Sequence, residues 1–551
     1  MTRPVVRLRI DQANVFYNYT IGLAATDVDL LKTAGKLLKS GLTRAVCFSD
    51  MKCLYIDDKG EIQLEWVQPK GRQWDPGWRV SFGQDIPRAA ATDLAYSIEL
   101  VFHEQRLEGR EARQMAPHLR AAMPPIVLES CELTLPLYAW IKVFSDGIFI
   151  LSFQLDTTWD GIDEEQWISN IVNLFQRYFD AVWVNAQLQR LDADQLLPDA
   201  FHDEMSIAGR TIGGRKSRKR LKKMRRKSNA VLDDALGKEG REFEIGGERW
   251  VLHEVAGSEQ QKDWEATIDL CKSQYVNAIA GLIVPRSRRE AAGTRGVYLW
   301  QGRPSVSLMR FRKQPSSKDA LLTQFGPSMS RILMRSARID NPPELPPDLR
   351  PFGDYCFHGN RALLLWTWLR PEGEPDDAWE DPTTRAALTE NQARAEHFEY
   401  HNMRVARACA IAGSPPTYTH LVEAYETLAS AEDIIHHSSQ AGEISDALSY
   451  LMSAVGTAGL VPSGKERARW RLDELRYRAE SRRARTDRWI GFVFGLVGAA
   501  GLADLFFKPY LVATYPKLSN WEAGLFSFVL AALVVGLLSF PIWVINKRGL
   551  S

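Results

Sequence analysis

The stretch Trp489–Phe507 reads WIGFVFGLVGAAGLADLFF and carries one charged residue, Asp504. As a helix with a rise of about 1.5 Å per residue it extends roughly 28 Å, which matches the hydrocarbon thickness of a bilayer. A second apolar run, Ala523–Ile545, carries Pro541 near its end, where a kink or a tilt can take up its greater length. The two runs, 489–507 and 523–545, predict a C-terminal two-helix transmembrane hairpin.

The residues that flank the two runs predict their orientation. Six arginines lie from Arg476 to Arg488, and Lys547 and Arg548 follow the second run at once. Because basic residues are retained on the cytoplasmic side of a membrane, both termini are expected in the cytoplasm. The N-terminus has no basic segment followed by an apolar one, so no cleaved secretion signal is expected. The sequence thus predicts a multi-pass protein of the cell's inner (plasma) membrane, in contact with membrane lipid.

Small and acidic residues in the first run each allow two interpretations. Gly491, Gly495 and Gly498 recur at helical spacing and predict close packing, either inside the hairpin or between several copies of the chain. A ring of Asp504 carboxylates would attract cations at a pore mouth, whereas a single Asp504 can pair with Lys508 one turn along. The sequence leaves both choices open.

The rest of the chain predicts several soluble units, because 551 residues exceed what one hydrophobic core usually serves. Strand-like runs indicate an N-terminal α/β domain over 1–193 and a second α/β-like segment over 243–383. A basic linker or helix, 194–242, lies between them, and a helical stalk, 384–488, leads into the membrane segment, 489–551. The predicted fold class is an α/β cytoplasmic region with a helical stalk and a C-terminal transmembrane hairpin.

Two local features of the N-terminal domain are predicted in more detail. Ser145, Asp146 and Gly147 separate two strand-like runs and indicate a hairpin. A long amphipathic helix is expected over Ile162–Leu191, with apolar residues such as Trp167 packed on the sheet.

The run from Arg215 to Lys227 contains ten lysines and arginines among thirteen residues. Such charge attracts an anionic lipid surface or the phosphates of a nucleic acid or nucleotide. It is equally typical of a solvated linker or an exposed helix. The candidate anion-binding residues are Arg215, Lys216, Arg218, Lys219, Arg220, Lys222, Lys223, Arg225, Arg226 and Lys227.

Motifs for catalysis are weak, and an enzyme is not expected. Six cysteines lie far apart, without the paired spacing of zinc or redox motifs, and are expected to be reduced. His397 and His401 are one helical turn apart, but Glu399 is misplaced for the zinc-protease motif. We therefore expect a surface or packed pair rather than a shared metal. The sequence contains no recognisable phosphate-binding loop, dinucleotide fingerprint or nucleophile elbow.

The order of these parts resembles the CorA-like family of divalent-cation channels and transporters. The resemblance covers Ile126–Leu191 and Thr384–Ser551 and ends on a basic tail, Lys547 and Arg548. It does not include the family's Gly-Met-Asn signature, because the outer end of the first helix here reads LFFKPY over 505–510. The resemblance implies two membrane helices, assembly as a ring and a divalent cation as the ligand to consider, and it transfers no functional residue.

Two functions follow as hypotheses. In the first, the chain is a homo-oligomer that forms a cation-conducting or ion-gated pore, with the large cytoplasmic region as its regulator. In the second, it is a membrane-tethered sensor or effector that binds nucleic acid, nucleotide or anionic lipid through 215–227 and transports nothing.

Overall fold

The computed structural model describes residues 7–23, 25–67, 69–70, 79–80, 86–108, 115–130, 133–177, 179–195, 214–236, 240–255, 264–286, 297–350, 353–370, 373, 382–414, 418–439, 441–517 and 519–548. The chain divides into two compact units, Met1–Ala468 and Arg469–Ser551. We call them the sheet unit and the apolar unit, and each is described by itself.

The strands belong to the sheet unit. They are β1 (Arg9–Leu23), β2 (Ala45–Phe48), β3 (Lys52–Ile56), β4 (Ile62–Trp66), β5 (Pro69–Lys70), β6 (Arg79–Val80), β7 (His118–Ser130), β8 (Leu133–Phe144), β9 (Ile148–Asp163), β10 (Ala181–Val184), β11 (Arg241–Ile245), β12 (Glu248–Glu254), β13 (Val297–Phe311), β14 (Tyr355–Gly359) and β15 (Leu364–Trp368).

The helices are numbered in chain order as well. They are α1 (Leu30–Ser40), α2 (Arg88–Glu108), α3 (Glu164–Trp167), α4 (186–195), α5 (Gly214–Leu236), α6 (Trp264–Leu282), α7 (Lys318–Leu333), α8 (Pro382–Gly413), α9 (Tyr418–Ala429), α10 (Ala431–His436), α11 (Gly442–Val455), α12 (Thr457–Leu502), α13 (Lys508–Thr514) and α14 (Asn520–Arg548).

Among the described residues, thirteen strands form one sheet in the order β11-β12-β10-β7-β8-β9-β1-β13-β15-β14, with β2, β3 and β4 branching from β7. The long strand β1 lies near the centre, where Tyr17 pairs with Phe153 of β9 and with Pro304 of β13. The α/β segments expected at 1–193 and 243–383 therefore contribute to the same sheet.

The central strands are buried on both faces, and the two faces differ in chemistry. Along β1, Ala13, Val15 and Tyr17 belong to the main apolar core, whereas Asn14 and Asn18 are equally buried but polar. Side chains alternate between faces along a strand, so one face carries the apolar core and the other carries polar groups. Helices α1, α6 and α7 contribute to the apolar core, and α8 packs against β1, β9 and β13.

One helix prediction is wrong. Residues 162–191 are not a continuous helix but the end of β9, the short α3, a π turn at Ile168–Val172, a 3₁₀ turn at Leu174–Gln176, the strand β10 and the start of α4. The pattern was misleading because apolar side chains from several short elements pack into one core. The expected packing of these apolar residues is confirmed, since Trp167 and Leu174 are fully buried.

Other local predictions are confirmed. Ser145, Asp146 and Gly147 join β8 to β9 in an antiparallel hairpin, and Gly147 adopts φ +83°. The basic segment is helical as α5, and α12 runs without a break from Thr457 to Leu502. Helix α8 differs from the expected stalk because most residues from Ala393 to Cys409 are buried, so it belongs to the sheet unit.

The apolar unit contains one described stretch that is long and apolar enough to cross a membrane, Trp489–Thr514. It comprises the end of α12, a π turn at Ala503–Phe507 and α13. The second apolar run lies inside α14, whose described side chains form a shorter apolar helix, Asn520–Val534. Ala499, Ala503 and Ala531 form a small buried cluster within this unit.

Candidate functional site

The polar face of the sheet holds a group of buried charges, which we call the charge cluster. Its members come from α2, β7, β8 and α8, and each is at most 3% exposed. They are Glu104, His118, Arg120, Lys142 and Glu396. On β7 and β8 they occupy positions that alternate with apolar core residues, which is why they all point to one face.

Direct contacts join the members of the charge cluster. Lys142 Nζ lies 2.7 Å from Glu104 Oε1, and His118 Nε2 lies 2.7 Å from Glu104 Oε2. The Arg120 guanidinium donates to both Glu104 and Glu396. Two carboxylates thus face one guanidinium and one ammonium, so the cluster is neutral when His118 is neutral.

Burial and mutual charge set the protonation of the charge cluster. Burial alone would raise the pKa of Glu104, but Arg120 and Lys142 outweigh it and hold that pKa well below its usual value. Burial lowers the pKa of His118 and of Lys142. Because removing charges from water is costly, such a network stabilises a protein less than well-packed apolar side chains of similar volume would. Its contacts join Glu396 of α8 to Arg120 of β7 and Lys142 of β8. These contacts fix α8 on the sheet.

A chain of hydrogen bonds extends from the charge cluster along α8. Gln392 lies one turn before Glu396 and donates from Nε2 to Asn18 Oδ1 at 2.9 Å and to Glu396 Oε1 at 3.0 Å. Ser152 Oγ donates to the same Asn18 oxygen at 2.7 Å, and Ser305 Oγ donates to Gln392 Oε1 at 3.1 Å. One helical residue therefore connects to β1, β9 and β13.

The histidine pair of the sequence, His397 and His401, lies inside this packing. Both side chains are fully buried, and their ring centroids are 4.5 Å apart. Of the two expected arrangements, a surface pair or a packed pair, the structure shows the packed one. The four ring nitrogens have no hydrogen-bond partner among the described residues. Burial lowers the pKa of His397 to about 3, so both rings are neutral at pH 7.

A cavity of about 410 Å³ lies beside the C-terminal half of α8, and we call it the α8 cavity. Its polar walls come from the β8–β9 hairpin, from α8 and from α9; they include Asp146, Tyr400, Arg404, Arg407, His420 and Glu423. Tyr400 donates its hydroxyl to Asp146 Oδ2 at 3.1 Å, and Arg407 donates to the Asp146 carbonyl at 2.6 Å. Guanidinium and carboxylate groups in the same wall suit a small polar ligand.

The basic run is displayed on α5. The side chains of Arg215 and Lys216 lie outside the described part of the chain, and the other eight basic side chains of the run are exposed. Arg225 pairs with Asp194 at 3.0 Å. The helix thus presents a dense positive surface.

The candidate residues of the apolar unit are placed as follows. A Cβ added at Gly491 or Gly498 would meet no described atom within 4 Å, so these glycines do not pack against the described side chains of α14. Gly495 is half-buried. The cluster of Ala499, Ala503 and Ala531 holds the two helices together instead. Asp504 lies 3.5 Å from Lys508, as the pairing interpretation predicts.

Sequence reasoning missed the charge cluster because its members are far apart in the chain and each resembles a solvent-facing residue. The one available signal was Lys142 inside the apolar strand 138–144. Comparison of the chain with protein-family models, with curated proteins and with solved structures finds no match in any of the three.

Proposed function

We propose that this chain is an oligomeric membrane protein of the CorA-like plan. In this proposal the apolar unit inserts into the inner membrane as a two-helix hairpin with both termini in the cytoplasm. Several copies then form a cation-conducting pore, and the sheet unit regulates it.

The observation that carries the proposal is the exposure of large apolar side chains along 489–514. Phe494, Val497 and Leu505 are 70%, 64% and 74% exposed. Soluble monomers rarely expose contiguous apolar surface of this kind, and each buried side chain gains roughly 1.5–3 kcal/mol on leaving water. Insertion into lipid would remove the unfavourable contact between these apolar side chains and water.

The uncovered glycines support assembly from several copies. The hairpin packs through Ala499, Ala503 and Ala531, so the surface at Gly491 and Gly498 is left for another helix. Close approach at small residues is a common way for membrane helices to associate. Because two membrane helices cannot enclose a conducting path alone, a pore requires such association.

The sheet unit supports a regulatory role. The α8 cavity joins the sheet to α8 and α9, so a ligand bound there would contact elements that lead along the chain toward α12. The charge cluster holds the opposite half of α8 in one position on the sheet. A polar ligand is the class that the cavity's charged walls favour.

The first test is the mass of the complex after gentle solubilisation. A ring of about four or more chains is expected, and reconstituted vesicles should then conduct cations. Gly498→Leu should reduce the assembly to smaller species and lower the flux, because a large side chain separates helices that touch at glycine. Ala500→Leu, on the opposite side of the same helix, is the matched control. A stable wild-type monomer or dimer would exclude the pore.

The second candidate function, a tethered sensor without transport, is favoured by the exposed cations of α5. Each basic residue near an anionic membrane contributes about 1 kcal/mol, and the attraction weakens with salt. Replacing Lys222, Lys223 and Arg226 by Glu should abolish salt-sensitive co-sedimentation of the full chain with anionic vesicles or nucleic acid. Exchanging Lys for Arg and Arg for Lys at the same positions keeps the charge and should preserve it. Equal binding by both variants would contradict a role for α5.

A further inference from the structure

A third group of polar side chains lies at the far edge of the sheet, away from the charge cluster. Cys356 and His358 are two residues apart on β14, so their side chains point to the same face. Asp348 lies opposite them in the segment before the strand. One ligand atom from each of the three residues lies within 4.8 Å of the other two. Among the described residues this is the one group of three or more metal-ligating side chains so close together.

Backbone contacts fix Asp348 against β14. Its Oδ1 accepts the amide N–H of Phe357 at 2.8 Å and that of Arg350 at 3.0 Å. The amide of Leu349 donates to the Phe357 carbonyl at 2.8 Å. The carboxylate is therefore held beside Cys356 and His358 by main-chain geometry rather than by chance contact of a mobile side chain.

The protonation of His358 is the second, independent observation. The side chain is 1% exposed, and Nδ1 lies 2.9 Å from the carbonyl oxygen of Pro346. A carbonyl only accepts, so Nδ1 carries the proton and Nε2 carries a lone pair. This buried Nε2 has no hydrogen-bond partner in the part of the chain that the structure describes. Metal-bound histidines are typically oriented in this way, with the other ring nitrogen donating to a carbonyl or carboxylate.

Lys318 balances the charge of Asp348 in the ion-free form. Lys318 Nζ lies 2.7 Å from Asp348 Oδ2 and also donates to the Arg350 carbonyl. Its side chain is 22% exposed, and binding of another cation at Asp348 Oδ2 requires it to turn toward solvent. The Cys356 thiol is fully buried, and a bound metal ion would displace its proton.

We propose that Asp348, Cys356 and His358 form a three-ligand site for a divalent transition-metal ion, with zinc as the best fit. Thiolate, imidazole and carboxylate are the ligands zinc takes, whereas magnesium and calcium prefer oxygen alone. Ligand atoms around a tetrahedral zinc lie about 3.5 Å apart, and those of the three residues lie within 4.8 Å of one another, so the groups need to close by about 1.3 Å at most. The ion would bind the 346–350 segment to β14 and leave one coordination position for water.

The test uses the full chain in detergent, stripped of metal with a chelator and titrated with Co²⁺. One equivalent should produce a thiolate-to-cobalt charge-transfer band, and Zn²⁺ should displace it. Cys356→Ser should abolish the band, and His358→Gln should weaken Zn²⁺ binding by about 100-fold or more. Cys409→Ser, at a thiol outside the site, should leave both unchanged. No band in the wild type, or the same band in Cys356→Ser, would overturn the proposal.

A second measurement on the wild-type chain covers the case in which a variant does not fold. Because Cys356 is fully buried, its alkylation is followed by mass spectrometry of its peptide in enough urea to expose the thiol. Zn²⁺ should slow this alkylation and should raise the melting temperature, as any ligand of the folded state does. Modification of Cys356 at the same rate with and without Zn²⁺ would also overturn the site.

Discussion

Glu396 is the residue of α8 on which the charge cluster depends. It shares the Arg120 guanidinium with Glu104 and lies 3.7 Å from Lys142. Because all these groups are buried, loss of one charge leaves the others without compensation in a medium that solvates them poorly.

We therefore expect Glu396→Gln to lower the free energy of unfolding by about 3–5 kcal/mol. Urea denaturation of the full chain in detergent, followed by tryptophan fluorescence, measures this change. Asp160→Ala removes a fully exposed carboxylate that pairs with Arg312, and it should leave the midpoint unchanged because solvent screens that pair. Equal midpoints for the two variants would show that the charge cluster contributes little.

Single residues also show where sequence reasoning stops. Asp504 and Lys508 are one helical turn apart, so their contact could be predicted from spacing alone. Glu104 and Glu396 lie far apart in the sequence, on α2 and α8, yet both contact Arg120, and no local pattern relates them. The same holds for Asp348 with His358, whose approach depends on how a loop crosses β14.

At the scale of elements, the β8–β9 hairpin places Asp146 in the wall of the α8 cavity. Gly147 makes this turn with a positive φ, and a Cβ at this position would lie 1.7 Å from the carbonyl oxygen of Ala25. Gly60 has a similar φ of +78° but open space around it. Both glycines have a positive φ, but only Gly147 is closely packed. Substitution at each position therefore distinguishes the cost of backbone strain from the cost of a steric clash.

We expect Gly147→Ala to cost about 2–4 kcal/mol, since it adds a steric clash to the strain of a left-handed residue. Gly60→Ala should cost only about 1 kcal/mol, from backbone strain alone. Thermal unfolding of both variants gives the comparison. A similar loss in both would mean that the contact with Ala25 relaxes freely.

Elements with a strong local pattern could be predicted from sequence, and composite ones could not. The apolar run at 489–507, the basic helix and the hairpin at 145–147 each depend on neighbouring residues. The region 162–191 is not predictable in this way. Its buried aromatic and aliphatic side chains come from short α, π and 3₁₀ turns and from β10, but their spacing is that of one amphipathic helix. Helix α8 looked like a stalk because its polar residues face a polar sheet rather than water.

For the molecule as a whole, buried neutral histidines link stability to pH. Burial lowers the pKa of His118, His358, His397 and His401. Below about pH 6.5 the unfolded chain binds protons at these rings more readily than the folded chain does. Stability is then lost as the pH falls below that value, and for His397 the loss continues toward its folded pKa of about 3.

We expect the unfolding free energy to fall between pH 6.5 and 5, with a slope of at most about 1.4 kcal/mol per pH unit for each histidine. His397→Phe should reduce this slope by up to about 1.4 kcal/mol per pH unit, the contribution of one histidine. Substitution of the exposed His436 by Phe should leave the slope as in the wild type. Denaturation curves at several pH values measure it, and a profile unaffected by His397→Phe would contradict this assignment.

Strand β1 is made first but pairs with β9 and β13, which are made much later. The sheet therefore cannot be completed until most of the sheet unit has been synthesised. The hydrogen-bond partners of Asn18 include Ser305, 287 positions later in the chain, and Gln392, 374 positions later. At about 5–20 residues per second, the first strand waits roughly 15–60 s for its neighbour β13. Until β13 is made, one edge of β1 has no hydrogen-bonded neighbour, and such an edge is prone to aggregation. Since the apolar runs 489–507 and 523–545 are synthesised after α8, every strand of the sheet is complete before these runs leave the exit tunnel.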